Sequence, residues 1–164
     1  EGRIRAYGIS TNDLDVLKRF NANGRCSVVQ VDYSLMNRAP EPDFLPYCLE
    51  NNIGVMVRGP LAKGLLSGRY DKSTVFTDTI RETWHASPEA QAKFESDIDR
   101  VERLKELANP GEEMVKMALR YVISNPAVSL VIPGAKDPSQ AITNAAAGDE
   151  SLDDVTVAKL KNLT

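Results

Sequence analysis

The chain has 164 residues, of which 42% are hydrophobic and 26% are charged, a composition typical of one folded domain with an ordinary core. The formal net charge is −3 and the two signs are interspersed, so no basic face suggests a nucleic-acid partner. The longest apolar runs are only as long as strands, which argues against a membrane-spanning or membrane-bound protein.

The first part of the chain alternates strand and helix patterns. In chain order the sequence predicts a strand at 4–10, a helix capped by Thr11 or Asn12 and closed by Asn23-Gly24, a strand at 28–33, a helix at about 42–52 and a strand at 55–61. A glycine-rich loop follows the last of these strands. Residues 67–87 then show no clear periodicity, and connections of that length are usually functional.

The second part begins with a strong helix signal at Ser87-Pro88-Glu89, which combines a cap, a proline and an acid in the first turn. This helix is predicted to run to about Ala108, with an inward face made of Ile98, Val101, Leu104 and Leu107. Asn109-Pro110-Gly111 should break it, and Glu112-Glu113 should open the next helix. That helix is predicted to bury a face made of Met114, Met117, Ala118, Tyr121 and Val122. A strand at 128–132 and helices at 138–147 and 153–163 complete the prediction.

Strands that alternate with helices predict βα units on a parallel sheet, either an open doubly wound sheet or a (β/α)₈ barrel. Four polar residues lie at or just beyond strand ends, where all strands of a barrel share one site: Ser10, Gln30, Arg58 and Lys136. The chain lacks the G-x-G-x-x-G turn of dinucleotide-binding sheets. We therefore predict an α/β fold, a TIM-type half-barrel of four βα units plus a C-terminal helix, as one domain at 1–164. The chain opens inside a strand pattern without methionine, so we expect it to be part of something longer.

One tract points to a phosphate ligand. The run Val131-Ile132-Pro133-Gly134-Ala135-Lys136 ends a strand and places a cation before a helix that begins at Asp137-Pro138. Helix N-termini favour phosphate through free N–H groups and the helix dipole. Gln140 and Asn144 lie four residues apart on one face and could reach the same group. The alternative is an ordinary strand-to-helix turn with a solvated lysine.

Four motifs occur in a fixed order along the chain. They are Gly8-Ile9-Ser10, the run from Gln30 to Arg38, the run from Arg58 to Gly68, and Ile132 to Lys136 with Gln140 and Asn144. In this order they resemble the aldo-keto reductases, and they match the second half of that family's barrel, strands 5 to 8. The resemblance implies NADPH-dependent reduction of aldehydes or ketones to alcohols, with a small carbonyl compound as substrate.

The resemblance also assigns roles at the nicotinamide end of the cofactor. It places Ser10 and Gln30 on the carboxamide, although Thr11 stands where many members have asparagine. Arg58 occupies the position of a ring-stacking tyrosine, and a guanidinium plane can also stack. The alternatives are helix capping for Ser10, a barrel-lining polar role for Gln30, and a salt bridge across the barrel mouth for Arg58.

The remaining predicted cofactor residues contact the phosphates and the adenosine. The resemblance places Gly59, Leu61, Lys63 and Gly64 around the pyrophosphate and Lys136 at the 2′-phosphate, and it counts Gly134 among the cofactor-binding residues. Gln140 and Asn144 should contact the adenine and ribose, although Thr143 stands where a glutamate is common. Trp84 borders the implied substrate pocket. Lys63 could equally be solvated.

The family's catalytic aspartate, tyrosine, lysine and histidine belong to the first half of its barrel, so we assign no catalytic residue here. We expect this chain alone to be inactive, and to associate with itself or with the missing N-terminal half. Two other functions remain open: a nicotinamide-binding regulatory subunit resembling potassium-channel β subunits, and a phosphate-binding barrel lyase or isomerase. Cys26 and Cys48 are predicted to be free buried thiols. Together with the lack of a signal-peptide pattern, this predicts a cytoplasmic location.

Overall fold

The computed structural model describes residues 2–108 and 114–163. The strands are β1 (Gly8–Ser10), β2 (Val28–Asp32), β3 (Gly54–Arg58) and β4 (Val128–Val131). The α-helices are α1 (Leu14–Phe20), α2 (Phe44–Glu50), α3 (Pro88–Lys105), α4 (Met114–Ile123), α5 (Pro138–Ala146) and α6 (Asp154–Leu163). Short 3₁₀ turns occupy Ala62–Ser67, Glu82–His85 and Ala147–Asp149.

The four strands form one parallel sheet in the order β1-β2-β3-β4. Each strand pairs with its neighbour along the chain, as successive strands of a (β/α) barrel do. A doubly wound sheet would instead reverse its strand order at a switch point. The predicted α/β half-barrel of four βα units with a C-terminal helix is therefore confirmed.

The core lies between the sheet and the helices. In β2 and β3 every second residue is buried, namely Val29 and Val31, and Val55 and Val57, because side chains alternate between the two faces of a strand. The predicted inward faces of the later helices are confirmed, with Ile98, Val101 and Leu104 of α3 buried, and with Met114, Met117, Ala118, Tyr121 and Val122 of α4 buried. Leu107 lies beyond the end of α3 and is only half-buried.

The prediction of a strand at 4–10 is wrong for its first half. Strand β1 begins at Gly8 because its partner β2 begins at Val28, so the backbone before Gly8 has no strand to pair with. Ile4 is accordingly 71% exposed. The predicted helix cap is also wrong, because Asp13 caps α1 by accepting from Asp15 N and Val16 N, whereas the Thr11 hydroxyl accepts from Asp13 N.

Other predicted boundaries differ by a few residues. Strand β3 ends at Arg58 rather than at 61, and α3 ends at Lys105, three residues before Ala108. The predicted break at Asn109-Pro110-Gly111 and the helix start at Glu112-Glu113 lie outside the described residues. Within the described ranges no helix is long and apolar enough to cross a bilayer.

Both cysteines are free and buried, as predicted. Burial raises the pKa of the Cys48 thiol to about 12, with a smaller contribution from Cys26. Burial likewise raises the pKa of the Cys26 thiol, although a hydrogen bond to the Val28 carbonyl partly offsets it.

A half-buried carboxylate ties the loop after β2 to α4 and α6. Glu41 Oε1 accepts hydrogen bonds from the hydroxyls of Tyr33, at 2.8 Å, and Tyr121. Its Oε2 accepts from Arg38 Nε at 3.2 Å and Nη2 at 3.1 Å, and Arg38 also donates to the Lys161 carbonyl of α6. Burial acts to raise the pKa of Glu41, but the bonds from Tyr121, Arg38 and Tyr33 outweigh it and hold the pKa below its ordinary value.

Candidate functional site

The loop that follows β3 is wound tightly at the carboxyl edge of the sheet. Gly59 has φ 64°, and a Cβ there would lie 2.6 Å from Asp32 Oδ1, so only glycine fits without movement. Two turns follow, in which Ala62 N donates to Gly59 O and Gly64 N donates to Leu61 O, both at 2.9 Å. Lys63 has φ 56°, a left-handed conformation that non-glycine residues rarely adopt. Conformations of this kind concentrate at functional loops.

The N-terminal turn of α5 forms a second wall. Asp137 caps the helix by accepting from Gln140 N at 2.9 Å, and Pro138 occupies the first turn. The Gln140 side chain folds back onto the loop, where its Oε1 accepts from Lys136 N at 3.0 Å and its Nε2 donates to Asp137 Oδ2 at 2.7 Å. Asn144 Nδ2 donates to the Gly134 carbonyl at 3.3 Å. These amides fix the shape of the loop that presents Lys136.

A cleft of about 700 Å³ separates the two walls, a volume within the usual range for ligand sites. Most of the sequence-predicted cofactor residues line it, and they come from both loops: Gly59, Leu61, Lys63, Gly64, Gly134, Lys136, Gln140 and Asn144. The phosphate-type tract after β4 and the glycine-rich loop after β3 therefore face one space.

The connection between β3 and α3 supplies a third wall that the sequence analysis missed. Its lining residues are Ser67, Arg69, Tyr70, Asp78, Thr79, Ile80 and Arg81. The Arg81 guanidinium is held by Asp78 Oδ2 at 2.7 Å and by the Tyr70 hydroxyl, and it lies 5.5 Å from the Tyr70 ring centroid. Tyr70 in turn contacts Gly64, where a Cβ would meet its hydroxyl at 2.9 Å. The connection is thus packed against the glycine-rich loop.

The lining of the cleft is positively charged although the whole chain is acidic. Among the residues that the structure describes, its basic residues are Lys63, Arg69, Arg81 and Lys136, and its one acidic residue is Asp78. Partial burial acts to raise the pKa of Asp78, but hydrogen bonds from Arg81 outweigh it and lower that pKa. A low-dielectric cleft with basic walls attracts anionic ligands.

One signal could have found Arg69 and Arg81 in the sequence. Both basic residues stand in the long aperiodic connection directly after the glycine-rich loop, where a functional wall is expected. Nothing in the spacing indicates that they turn back over the same cleft, because that depends on how the connection packs.

Comparison with known proteins agrees with this geometry. The model of the Aldo/keto reductase family matches residues 1–164. The chain belongs to the aldo/keto reductase family. The resemblance of the four sequence motifs is thereby confirmed.

Individual members of the aldo/keto reductase family match the chain over most of its length. It is 29% identical over 142 residues to the aldo-keto reductase YhdN of Bacillus subtilis, which covers 85% of this chain and 42% of that protein. It is 28% identical over 164 residues to the NADH-specific methylglyoxal reductase of Escherichia coli, and this match covers 99% of this chain and 49% of that protein. The structure of glycerol dehydrogenase AKR11B4 from Gluconobacter oxydans superposes with a TM-score of 0.84 at 27% identity, and the match covers 99% of this chain and 49% of that one. The chain spans about half the length of the curated relatives it matches.

The predicted nicotinamide residues of this aldo/keto reductase chain, Ser10, Gln30 and Arg58, are not among the lining residues of the cleft. Ser10 ends β1 and its hydroxyl lies 3.4 Å from Gln30 Oε1 on the paired strand. Arg58 donates to Asn12 Oδ1 at 3.1 Å and lies 4.0 Å from Asp32 Oδ2. Arg58 is thus paired with polar neighbours, as in the salt-bridge alternative given above. Its predicted stacking on the nicotinamide ring remains a prediction.

Trp84 lies apart from the cleft in an aromatic cluster. Its ring stacks on Phe94 with centroids 5.5 Å apart and meets Phe76 edge-on at 5.1 Å. The cluster also contains Tyr70 and His85. Trp84 therefore packs between its own connection and α3, and its predicted contact with substrate remains a prediction.

Proposed function

We propose that this chain provides most of the cofactor-binding site of an NADPH-dependent oxidoreductase that reduces aldehydes or ketones to alcohols. The observation that supports the proposal best is the cleft with basic residues on all three walls: Lys63 on the glycine-rich loop, Arg69 and Arg81 on the connection, and Lys136 before α5. A phosphorylated dinucleotide presents one pyrophosphate and one 2′-phosphate, and this spread of charge suits cations that come from separate elements.

The donor set fits such a ligand in chemistry as well as in size. Glycines at Gly59 and Gly64 allow the backbone to approach a pyrophosphate. Lys136 precedes the N-terminus of α5, where the helix dipole adds to its charge. When bound, the nicotinamide supplies the hydride that a carbonyl substrate accepts. The residues of this chain would bind and orient the dinucleotide, while a proton donor for the carbonyl oxygen would come from elsewhere in the barrel.

The choice between NADPH and NADH is part of the proposal, since one relative is NADH-specific by name. Lys136 is exposed, and its ammonium has no hydrogen-bond partner within the described residues, so it is available for a 2′-phosphate. Replacing it in Lys136→Ala should weaken NADPH binding by about 1.5–3 kcal/mol, the value of a charge-assisted hydrogen bond. NADH binding should change little.

Binding is measured by quenching of the Trp84 fluorescence during titration with each dinucleotide. Lys159→Ala is the matched control, because it removes the same charge from an exposed position of α6 that does not line the cleft. Equal weakening of both dinucleotides by Lys136→Ala would refute the 2′-phosphate role. Quenching by a sugar phosphate but not by NADPH would instead favour a phosphate-binding lyase or isomerase.

A further inference from the structure

The single histidine of the chain, His85, has both ring nitrogens directed at oxygen atoms. Its Nε2 lies 3.1 Å from the Thr74 carbonyl, and its Nδ1 contacts Gln91 Oε1. The orientation of the Gln91 amide follows from its own neighbour, because its Nε2 donates to Glu95 Oε1 at 2.7 Å. Both oxygens facing the ring are therefore acceptors. A neutral imidazole has only one N–H, whereas the imidazolium has two and can donate to both.

We propose that His85 is a proton-operated clamp that holds the connection at 67–87 against α3. In the protonated state the ring bridges Thr74 of the connection and Gln91 of α3. Loss of one proton leaves a nitrogen lone pair facing an acceptor oxygen, so one of the two bonds must break. Imidazole is the side-chain group that ordinarily changes its charge between pH 5 and 8, and the clamp is tested across that interval.

The clamp acts on a segment that is otherwise held mainly by turns and ring contacts. Thr74 closes a turn in which Asp71 Oδ1 accepts from Ser73 N at 2.9 Å, and Lys72 pairs with Asp99 of α3 at 2.7 Å with both side chains half-exposed. Exposed ion pairs of this kind contribute little. A two-donor bridge from a partly buried imidazolium is the stronger tie between this turn and α3.

The charges around the ring determine whether it can hold a proton. The other titratable side chains on the two packed segments are Arg69, Tyr70, Asp71, Lys72, Asp78, Arg81 and Glu82 of the connection, and Glu89, Lys93, Glu95, Asp97, Asp99, Arg100, Glu102, Arg103 and Lys105 of α3. His85 stacks on Phe76 at 5.6 Å, and the Arg81 guanidinium lies 5.2 Å from the same ring centroid. Asp78 Oδ2 forms an ion pair with Arg81 Nε at 2.7 Å, and Glu95 accepts a hydrogen bond from the Gln91 amide. The bond to Glu95 thus fixes the Gln91 amide with its oxygen towards the ring.

The clamp matters for the cleft because the same connection carries Arg69 and Arg81 into its lining. Protonation of His85 would order that wall, and an anionic ligand would then bind a preformed site. This consequence for ligand affinity rests on the proposed function. The clamp itself does not, and it can be tested in the chain without any ligand.

The test is hydrogen–deuterium exchange of the unliganded chain at pH 6 and pH 8, with rates corrected for intrinsic exchange. Peptides from residues 69–82 should be about tenfold better protected at pH 6, the effect of one additional charge-assisted hydrogen bond. His85→Gln, which keeps the size of the side chain but does not titrate, should remove this difference. Ser96→Ala, at an exposed position of α3, is the matched control and should keep it.

A second variant separates the clamp from a histidine that merely titrates nearby. Gln91→Ala retains His85 but removes the Nδ1 acceptor, so a neutral ring can satisfy Thr74 and the pH difference at 69–82 should disappear. Peptides from β2 and β3 in the same experiment report whether each variant is folded. If His85→Gln does not fold, the result for Gln91→Ala decides whether the clamp exists. Equal protection of the wild-type connection at both pH values, or an undiminished pH response in a folded variant, would overturn the proposal.

Discussion

The carboxylate of Glu41 offers a stability test whose size can be worked out from its contacts. Four hydrogen bonds converge on it, two from tyrosine hydroxyls and two from the Arg38 guanidinium. The Glu41 side chain is 14% exposed and that of Arg38 is 27% exposed, so solvent screens the pair only in part. In Glu41→Gln, one of the two acceptor oxygens is replaced by an NH₂ group, which must face either the guanidinium or the two hydroxyls. Some of these donors then lose a good acceptor.

Removing one partner of a fully buried ion pair costs about 3–5 kcal/mol, and a lost hydrogen bond to a charged group costs about 1.5–3 kcal/mol. The partial exposure of Arg38 and its remaining bond to the Lys161 carbonyl reduce the first value. We therefore expect Glu41→Gln to lower the free energy of unfolding by about 2–4 kcal/mol. Tyr33→Phe, which leaves the carboxylate with its other donors, should cost about 1 kcal/mol.

The assay is urea unfolding monitored by circular dichroism, with Glu50→Gln as the matched control at an exposed position of α2. The control should change stability by less than about 0.5 kcal/mol. Because folding lowers the pKa of Glu41, the stabilisation is present above the unfolded pKa of about 4.3 and is lost as the pH falls through the folded value. The difference between wild type and Glu41→Gln should therefore shrink below about pH 4. An unchanged midpoint at pH 7, or a difference that grows in acid, would refute the reasoning.

Three further predictions concern activity, assembly and thiol chemistry. The purified 164-residue chain should not oxidise NADPH with an aldehyde above background, since no general acid is assigned beside the hydride donor; turnover would show that a catalytic group lies within this chain. Strands β1 and β4 form the two edges of the sheet, and exposed edges favour pairing with another chain, so light scattering should detect a dimer or larger species. A stable folded monomer would contradict this. Cys48, whose pKa is raised to about 12, should not react with a thiol reagent at pH 8 until the chain unfolds, and rapid labelling of the folded chain would show that its burial is wrong.

Local signals predicted the identity and order of the elements because each depends on residues close together in the chain. Ser87 accepts a hydrogen bond from Ala90 N and Pro88 follows it. The start of α3 could therefore be predicted from Ser87, Pro88 and Glu89 alone. The buried face of α4 follows from the spacing of Met114, Met117 and Tyr121 alone. Strand ends located in the same way predicted one shared site for Ser10, Gln30, Arg58 and Lys136, of which Lys136 lines the cleft, whereas Lys63 was assigned through the family resemblance.

Contacts between distant segments decided the rest. Strand β1 is short because β2 begins at Val28, and Tyr121 reaches Glu41 across 80 positions of sequence. Arg69 and Arg81 join the cleft only because the connection packs onto the glycine-rich loop through Tyr70. The sequence by itself determined which segments are strands and helices, and it predicted which strand ends would take part in binding. Only the tertiary structure decided which loops close over that edge, because loop packing is set by long-range contacts that no local periodicity encodes.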